Sequence, residues 1–343
     1  MNSSNRKKIS SSRRTFLYQS SMASFGLLLT GKSVFAREGF GLFQSKPNSL
    51  INGVQIGAIT YSFRSLPGSP DQVLQYCIDS NISAIELMGD SVEDYAGKPI
   101  NPIKMPPRIP DQPRPELTNE QKDQMKAYQQ QVVSWRETVS MDKFIELRKK
   151  YNSAGVSIYA FKPNALNANN TDGEIEYALK AAKALGAKSV TTELSTNAAL
   201  SKRLGDLGEK HKVYIGYHAH TQATDTAWDL ALSQSPYNSM NLDCGHYIAA
   251  GENNTKESLL ALIEAKHDRI SSMHIKDRQN KVKGGKNLPW GEGDTPLKEI
   301  LTLLKTKKYK IPATIELEYD IPAGSDPVKE TKRCLDYART LLG

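Results

Sequence analysis

Residues Met240–His246, with the sequence MNLDCGH, form an apolar run that ends in an acidic residue and, three positions later, a histidine. The same arrangement recurs along the C-terminal half, where five successive strand-like runs end in side chains that can bind a metal or move a proton. These side chains are Glu193, His218 and His220, Asp243 and His246, His274 and Asp277, and Glu316 and Glu318. Side chains from different strand ends converge when parallel strands close into a barrel, whose active face is the carboxyl end of the strands.

Eight apolar runs alternate with helical patterns from residue 54 onward, which is typical of βα units. We therefore expect an α/β fold, a single (β/α)8 TIM barrel over residues 54–343. The predicted strands are Val54–Thr60, Ser83–Met88, Val156–Phe161, Ser189–Leu194, Val213–His218, Met240–Asp243, Ile270–Ile275 and Ala313–Leu317.

A long insertion follows the second predicted strand, at about residues 90–138. It contains seven prolines between Pro99 and Pro115 and then a polar helical stretch, Asn119–Arg136. Loops after barrel strands overhang the active face, so the insertion is a candidate lid or substrate wall. A surface excursion without a function is the alternative.

The N-terminal residues 1–36 have the features of a twin-arginine signal peptide. Ser12–Leu17 has the sequence SRRTFL, a short apolar stretch follows, and Val34–Ala36 is a small-residue cleavage pattern. We therefore expect export to the periplasm or otherwise across the membrane, with residues 37–53 as a linker. The apolar stretch is too short for a stable membrane span.

The charge of the chain gives no reason to expect nucleic acid as a partner. The formal net charge is +8, but residues 1–36 carry six basic and no acidic side chains, which leaves a net charge of +2 on the rest. A nearly neutral protein lacks the basic surface that binds phosphate backbones. The three cysteines are too few to predict a disulfide framework.

The residue types at the strand ends suit a divalent metal ion. Glu, Asp, His and Glu from four strands supply three oxygen ligands and one nitrogen, a set suited to Mn²⁺, Mg²⁺, Co²⁺ or Zn²⁺. The segment Asp243–His246 is the most specific local signal. In this segment Gly245 is expected to let the chain turn sharply, so that His246 points back at the same cavity.

With these motifs, Glu193, Asp243-x-x-His246, His274-Ile-Lys-Asp277 and Glu316, the chain resembles the xylose-isomerase-like barrel superfamily, in particular its exported "sugar phosphate isomerase/epimerase" proteins. The resemblance implies one divalent ion, most often Mn²⁺, and a carbohydrate substrate that contacts His246. The metal ligands that it implies are Glu193, Asp243, His274 and Glu316.

The expected chemistry is removal of a proton next to a carbonyl, through an enediolate, with Glu193 and Glu316 as the catalytic acid and base. The outcome is isomerisation or epimerisation of a sugar. With a 3-keto glycoside, β-elimination by the same base makes a lyase or deglycosidase the alternative. A non-catalytic sugar-binding barrel and an endonuclease IV-like enzyme are further alternatives.

Other side chains near the strand ends are candidates for binding the sugar. We expect only one of His218 and His220 to face the cavity and favour His218. Trp290 lies in a glycine-rich loop and either stacks on a sugar ring or anchors the loop. The remaining substrate-binding candidates are Lys162, Glu86, Arg64 and Asp277. The sequence leaves open whether the protein forms a homo-oligomer.

Overall fold

A computed structural model describes residues 45–103 and 116–343, and in them eight parallel strands close into a barrel. The barrel strands pair in chain order, and the last pairs with the first, which confirms the predicted TIM barrel. They are β2 (Val54–Ile59), β3 (Ala84–Met88), β4 (Ser157–Lys162), β5 (Ser189–Glu193), β6 (Tyr214–His218), β7 (Asn238–Asp243), β8 (Ile270–Ile275) and β11 (Ala313–Ile315). Three two-residue strands lie outside the barrel: β1 (Leu50–Ile51), β9 (Asp277–Arg278) and β10 (Asn287–Leu288).

Helices alternate with the strands and cover the outside of the barrel. Their ends follow local signals. Helix α5 (Asp172–Leu185), for example, begins after the capping box of Thr171 and ends before Gly186, whose φ of 85° is left-handed. The helices are α1 (Pro70–Asp79), α2 (Gly89–Tyr95), α3 (Asn119–Thr138), α4 (Asp142–Ser153), α5 (Asp172–Leu185), α6 (Ala198–His211), α7 (Asp229–Gln234), α8 (Cys244–Ala250), α9 (Lys256–Lys266), α10 (Leu297–Lys307) and α11 (Pro327–Leu342).

The insertion is fixed to the barrel through one buried arginine. Arg136, near the end of α3, pairs with Glu93 of α2 at 3.0 Å and with Glu174 of α5 at 2.9 Å. All three side chains are buried. Helix α3 is therefore held against the barrel by charge-assisted hydrogen bonds. Residues 104–115 of the insertion lie outside the described residues, as do the expected signal peptide and residues 37–44 of the expected linker.

The two ends of the described chain meet at the amino-terminal face of the barrel. Strand β1 pairs antiparallel with the start of β2. Between them, Asn52 donates hydrogen bonds from Nδ2 to the carbonyl oxygens of Leu342 and Gly343, at 3.0 and 2.8 Å. Within residues 45–103 and 116–343, no helix is long and apolar enough to cross a membrane.

Polar side chains fill the inside of the barrel beneath its carboxyl end. Near the bottom, Tyr159 and Thr314 hydrogen bond across the interior at 2.6 Å. Above them, Glu86, Thr191 and Asn241 form a second buried polar group, in which Glu86 accepts from both neighbours. Buried polar atoms need such partners, because an unmade hydrogen bond inside a protein is costly. This group supports the residues at the mouth of the barrel.

Candidate functional site

Three of the four expected metal ligands meet at the carboxyl end of the barrel. Asp243 ends β7 and lies in register with His274 on β8, and Glu316 follows β11 directly. His274 Nδ1 lies 3.1 Å from Glu316 Oε2 and 3.8 Å from Asp243 Oδ2. All three side chains are buried.

The fourth expected ligand, Glu193, lies at the rim. Its side chain is about half exposed, and it pairs with Lys162 Nζ at 3.0 Å and faces His220 Nε2 at 3.7 Å. In register, Glu193 is level with His218 on the neighbouring strand. The structure therefore joins Glu193 to Lys162 and the histidines, and it records no contact from Glu193 to Asp243 or Glu316 within the described part of the chain.

A group of histidines connects the rim with the buried ligands. Among the described residues, two sets have ligand atoms within 4.8 Å of one another: His218 with Asp243 and His274, and His218 with His220 and His246. The expectation that only one of His218 and His220 faces the cavity is wrong. Residues two apart along a strand point to the same side, and His220, two positions after His218 at the end of β6, has its ring centroid 4.7 Å from that of His246.

Glu86 lies lower than expected, beneath His274. We expected it to bind sugar, but the side chain is fully buried. Its carboxylate contacts His274 Nε2 at 2.9 Å and accepts hydrogen bonds from Thr191 Oγ1 at 2.6 Å and Asn241 Nδ2 at 3.1 Å. Glu86 thus contacts a candidate ligand and faces no open space.

The Asp243–His246 segment is a helix start instead of a sharp turn. Helix α8 begins at Cys244, and Asp243 caps it by accepting the His246 backbone N–H at 2.7 Å. Gly245 is needed for a different reason from the one expected: a Cβ atom there would lie 2.8 Å from the Lys276 carbonyl oxygen. The helix therefore packs directly against the end of β8, which brings His246 to the site.

Lys276 also lies at this site, although the sequence motifs gave it no role. Its ammonium lies 3.0 Å from Asp243 Oδ2 and 2.6 Å from both Glu316 Oε2 and Glu318 Oε2. The sequence carries a signal for it, because residues two apart along a strand point to the same face, and Lys276 follows His274 by two.

Burial and charge set the protonation of these groups. Burial opposes charge on His274, but the carboxylates of Glu316 and Glu86 overcome it and raise the pKa of His274. Burial raises and Lys276 lowers the pKa of Asp243, and the net shift is downward. Burial also lowers the pKa of His218 to about 4 and that of His246 to about 3, so these two imidazoles are neutral near pH 7.

Three of the expected substrate-binding residues have structural contacts instead. Asp277 is buried and accepts backbone N–H groups from Gly291, Gly293 and Thr295, because alternation turns it away from the barrel interior.

Trp290 is also buried and packs edge-on against Tyr337, which makes it an anchor of the loop. Arg64 stacks on Tyr61 and donates to the Leu317 carbonyl at the rim. Lys162, by contrast, contacts an expected ligand, Glu193.

The residues at the mouth fit a hard divalent ion. Asp243 Oδ2 is fully buried and has no hydrogen-bond partner, since Lys276 lies near it without hydrogen-bonding geometry. A buried carboxylate oxygen needs a positive partner; the Lys276 ammonium lies 3.0 Å away, at a position that also suits a divalent ion. Asp243, His274 and Glu316 are the oxygen and nitrogen donors that such ions take.

A family model described as xylose isomerase-like TIM barrel matches residues 123–340. The chain belongs to this family. The match covers the last six strands of the barrel and every candidate site residue except Arg64 and Glu86, which belong to the first two units. No curated protein sequence matches the chain significantly.

Solved structures of the same fold include three with names that refer to sugars. A sugar phosphate isomerase/epimerase from Parabacteroides distasonis has 15% identity and a TM-score of 0.55, covering 85% of this chain and 96% of the other. D-psicose 3-epimerase from Clostridium cellulolyticum has 12% identity and a TM-score of 0.56, covering 84% and 99%. 3-keto-D-glucoside 4-epimerase from E. coli has 12% identity and a TM-score of 0.53, covering 84% and 99%. At such identities the likeness establishes the fold.

Proposed function

We propose that the protein is a divalent-metal-dependent carbohydrate isomerase or epimerase that transfers a proton next to a carbonyl group. The observation that carries the proposal is the convergence of Asp243, His274 and Glu316 around Asp243 Oδ2, a buried oxygen that accepts no hydrogen bond. The names of three structural neighbours, all epimerases or isomerases of sugars, support the substrate class.

Asp243, His274 and Glu316 would hold the ion, and Glu193 would complete the set from the rim. Mn²⁺ is our first choice, with Mg²⁺, Co²⁺ or Zn²⁺ as alternatives. When bound, a divalent ion supplies a Lewis acid that polarises the carbonyl and spreads the developing negative charge, worth several kcal/mol.

The remaining steps belong to the side chains. Glu193, half exposed and held by Lys162, can accept a proton from a substrate carbon above the mouth. Glu316 arrives from the opposite strand of the barrel and can serve the other face of the same carbon. The neutral ring of His218 can present Nε2 to a sugar hydroxyl as an acceptor, because its Nδ1 faces Asn241 Oδ1 at 3.1 Å.

A lyase that acts on 3-keto glycosides is the second candidate. The same carboxylate that removes a proton can initiate β-elimination when the neighbouring carbon carries a leaving group. One structural neighbour is named for a 3-keto-D-glucoside, which supports keto sugars as a substrate class. The signal-peptide features also favour it, because we propose that the protein works outside the cytoplasm, where glycosides are more available than sugar phosphates.

Solvent exchange tests the proposal. The protein is freed of metal with EDTA, reloaded with Mn²⁺ and incubated in deuterated water with free keto sugars and with 3-keto glycosides. Deuterium entering the carbon next to the carbonyl, or release of the aglycone, supports enolisation and distinguishes the two reactions. Glu193→Gln should bind sugar but exchange no deuterium. Sugar binding by the Mn²⁺-loaded wild type without exchange on any substrate would instead identify a binding protein.

A further inference from the structure

Lys276 places a positive charge inside the candidate metal centre. Its side chain is only 3% exposed, and its ammonium lies 2.6 Å from Glu316 Oε2, 3.0 Å from Asp243 Oδ2 and 2.6 Å from Glu318 Oε2. His246 Nε2 is a fourth neighbour at 3.1 Å. Two of these four, Asp243 and Glu316, are candidate metal ligands.

The ammonium has more neighbours than it can satisfy. An ammonium donates three hydrogen bonds, whereas three carboxylates and an imidazole surround this one. Asp243 Oδ2 is the oxygen left without a hydrogen bond.

His246 is also incompletely satisfied, because cationic side chains face both of its ring nitrogens. Lys276 faces its Nε2 and Arg278 faces its Nδ1. A neutral imidazole has only one acceptor nitrogen, so it cannot accept from both. The Lys276 ammonium therefore leaves some of the polar groups around it without a hydrogen bond.

A divalent ion and the Lys276 ammonium compete for the same oxygens. Like charges a few ångströms apart repel strongly where water is excluded. Glu318 gives the ammonium a place to go, because its side chain is 23% exposed and so lies nearer to solvent than Glu316, at 8%.

We propose that Lys276 is a tethered cation that occupies the centre when metal is absent and turns toward Glu318 when a divalent ion binds. The proposal rests on the metal site of the proposed function. Lys276 would then stabilise the metal-free protein by neutralising Asp243 and Glu316. It would also weaken metal binding, because the ion must first displace the Lys276 ammonium and that displacement costs free energy. Metal affinity is thus set partly by a residue that is not a ligand.

The test measures Mn²⁺ binding, at one fixed pH, by isothermal titration of EDTA-treated full-length protein. Lys276→Met should bind Mn²⁺ at least tenfold more tightly than wild type. Its metal-free form should melt at a lower temperature, and Mn²⁺ should raise its melting temperature more than that of wild type, because binding to the native state alone stabilises it. The exposed Lys281→Met is the matched control and should match wild type in both measurements.

A second variant keeps the proposal testable if Lys276→Met folds poorly. Glu318→Gln leaves the ammonium in the centre but removes the carboxylate that receives it, so Mn²⁺ should bind several-fold more weakly. Equal Mn²⁺ affinity in wild type, Lys276→Met and Glu318→Gln overturns the proposal and leaves the metal site standing. Failure of both wild type and Lys276→Met to bind Mn²⁺, while both fold, overturns the metal site as well.

Discussion

Glu86 Oε2 lies 2.9 Å from His274 Nε2 and thereby turns the other ring nitrogen, Nδ1, toward Asp243 and Glu316. Carboxylates that hold the far nitrogen of a metal-binding histidine fix its ring orientation and make it a better ligand. Glu86 is itself held by Thr191 and Asn241, so its orientation is also fixed.

Glu86→Gln should therefore weaken Mn²⁺ binding by about 10- to 100-fold, the usual cost of losing such a partner. Titration of the metal-free variant with Mn²⁺ measures this. Thr191→Val is the matched control, because it removes one hydrogen bond from Glu86 while leaving the contact with His274, and it should cost less. An unchanged affinity in Glu86→Gln would exclude a role in positioning His274.

Gly245→Ala should disturb the site through Lys276. The new Cβ would lie 2.3 Å from Lys276 Cγ and 2.8 Å from its carbonyl oxygen, so either helix α8 or the end of β8 must move. Overpacking of this kind costs about 1–3 kcal/mol of unfolding free energy, measurable by urea denaturation. Gly68→Ala, where nothing lies within 4 Å of the new Cβ, is the control and should not destabilise. Equal stability of the two variants would contradict the close packing of α8.

Arg136→Met should destabilise the fold by about 3 kcal/mol, because it leaves Glu93 and Glu174 buried without their arginine. Breaking a buried ion pair usually costs about 3–5 kcal/mol, and we expect the low end of this range because Glu93 keeps contacts with Lys98 and Tyr177. Lys126→Met, on the exposed side of the same helix, should change the unfolding free energy by less than about 0.5 kcal/mol. A loss below about 1 kcal/mol for Arg136→Met would show that α3 is held by other contacts.

The three thiols should be unreactive in the native protein. Cys77, Cys244 and Cys334 are all buried and free, and burial raises the pKa of each well above its ordinary value. Because the thiolate is the reactive form, Ellman's reagent should label none of them within minutes in buffer and all three in urea. Rapid labelling of a native thiol would mean that its surroundings open readily.

We propose that the protein is exported and that export depends on the arginine pair in the sequence. Replacing Arg13 and Arg14 by lysine should leave the protein in the cytoplasm, because the twin-arginine signature is recognised as a pair. Cell fractionation and immunoblotting measure this, and replacing the neighbouring Arg6 by lysine is the control. Export of the Arg13 and Arg14 double variant at the wild-type rate would count against this route.

The count of eight alternating apolar runs, with ligand-type side chains at the ends of five of them, predicts the barrel. Strand β8 was predicted with the ends that it has, Ile270 and Ile275, because its apolar run is bounded on both sides. The expected strand at Ala313–Leu317 ends earlier, at Ile315, since Ser62 takes up the Leu317 backbone N–H. Local signals thus locate a strand better than they locate its last residue.

The site could be predicted only in part, because most of its contacts join distant residues. Asp243, His274 and Glu316 end successive strands, and that position is visible in the sequence. Glu86 reaches His274 across 188 positions of the chain, and no local pattern indicates whether such a glutamate faces sugar or lies under a histidine. The ammonium of Lys276 is held by Glu318 and Asp243 together, and the sequence alone does not indicate that these two carboxylates lie close to each other.

The hydrogen bonds from Asn52 to Leu342 and Gly343 have a practical consequence for handling this protein. They hold both ends of the described chain at the amino-terminal face of the barrel, on the side away from Asp243 and His274. A purification tag, a fluorescent partner or a surface linker joined after Gly343 will therefore leave the carboxyl end of the barrel open, and immobilisation through Gly343 will orient that end outward.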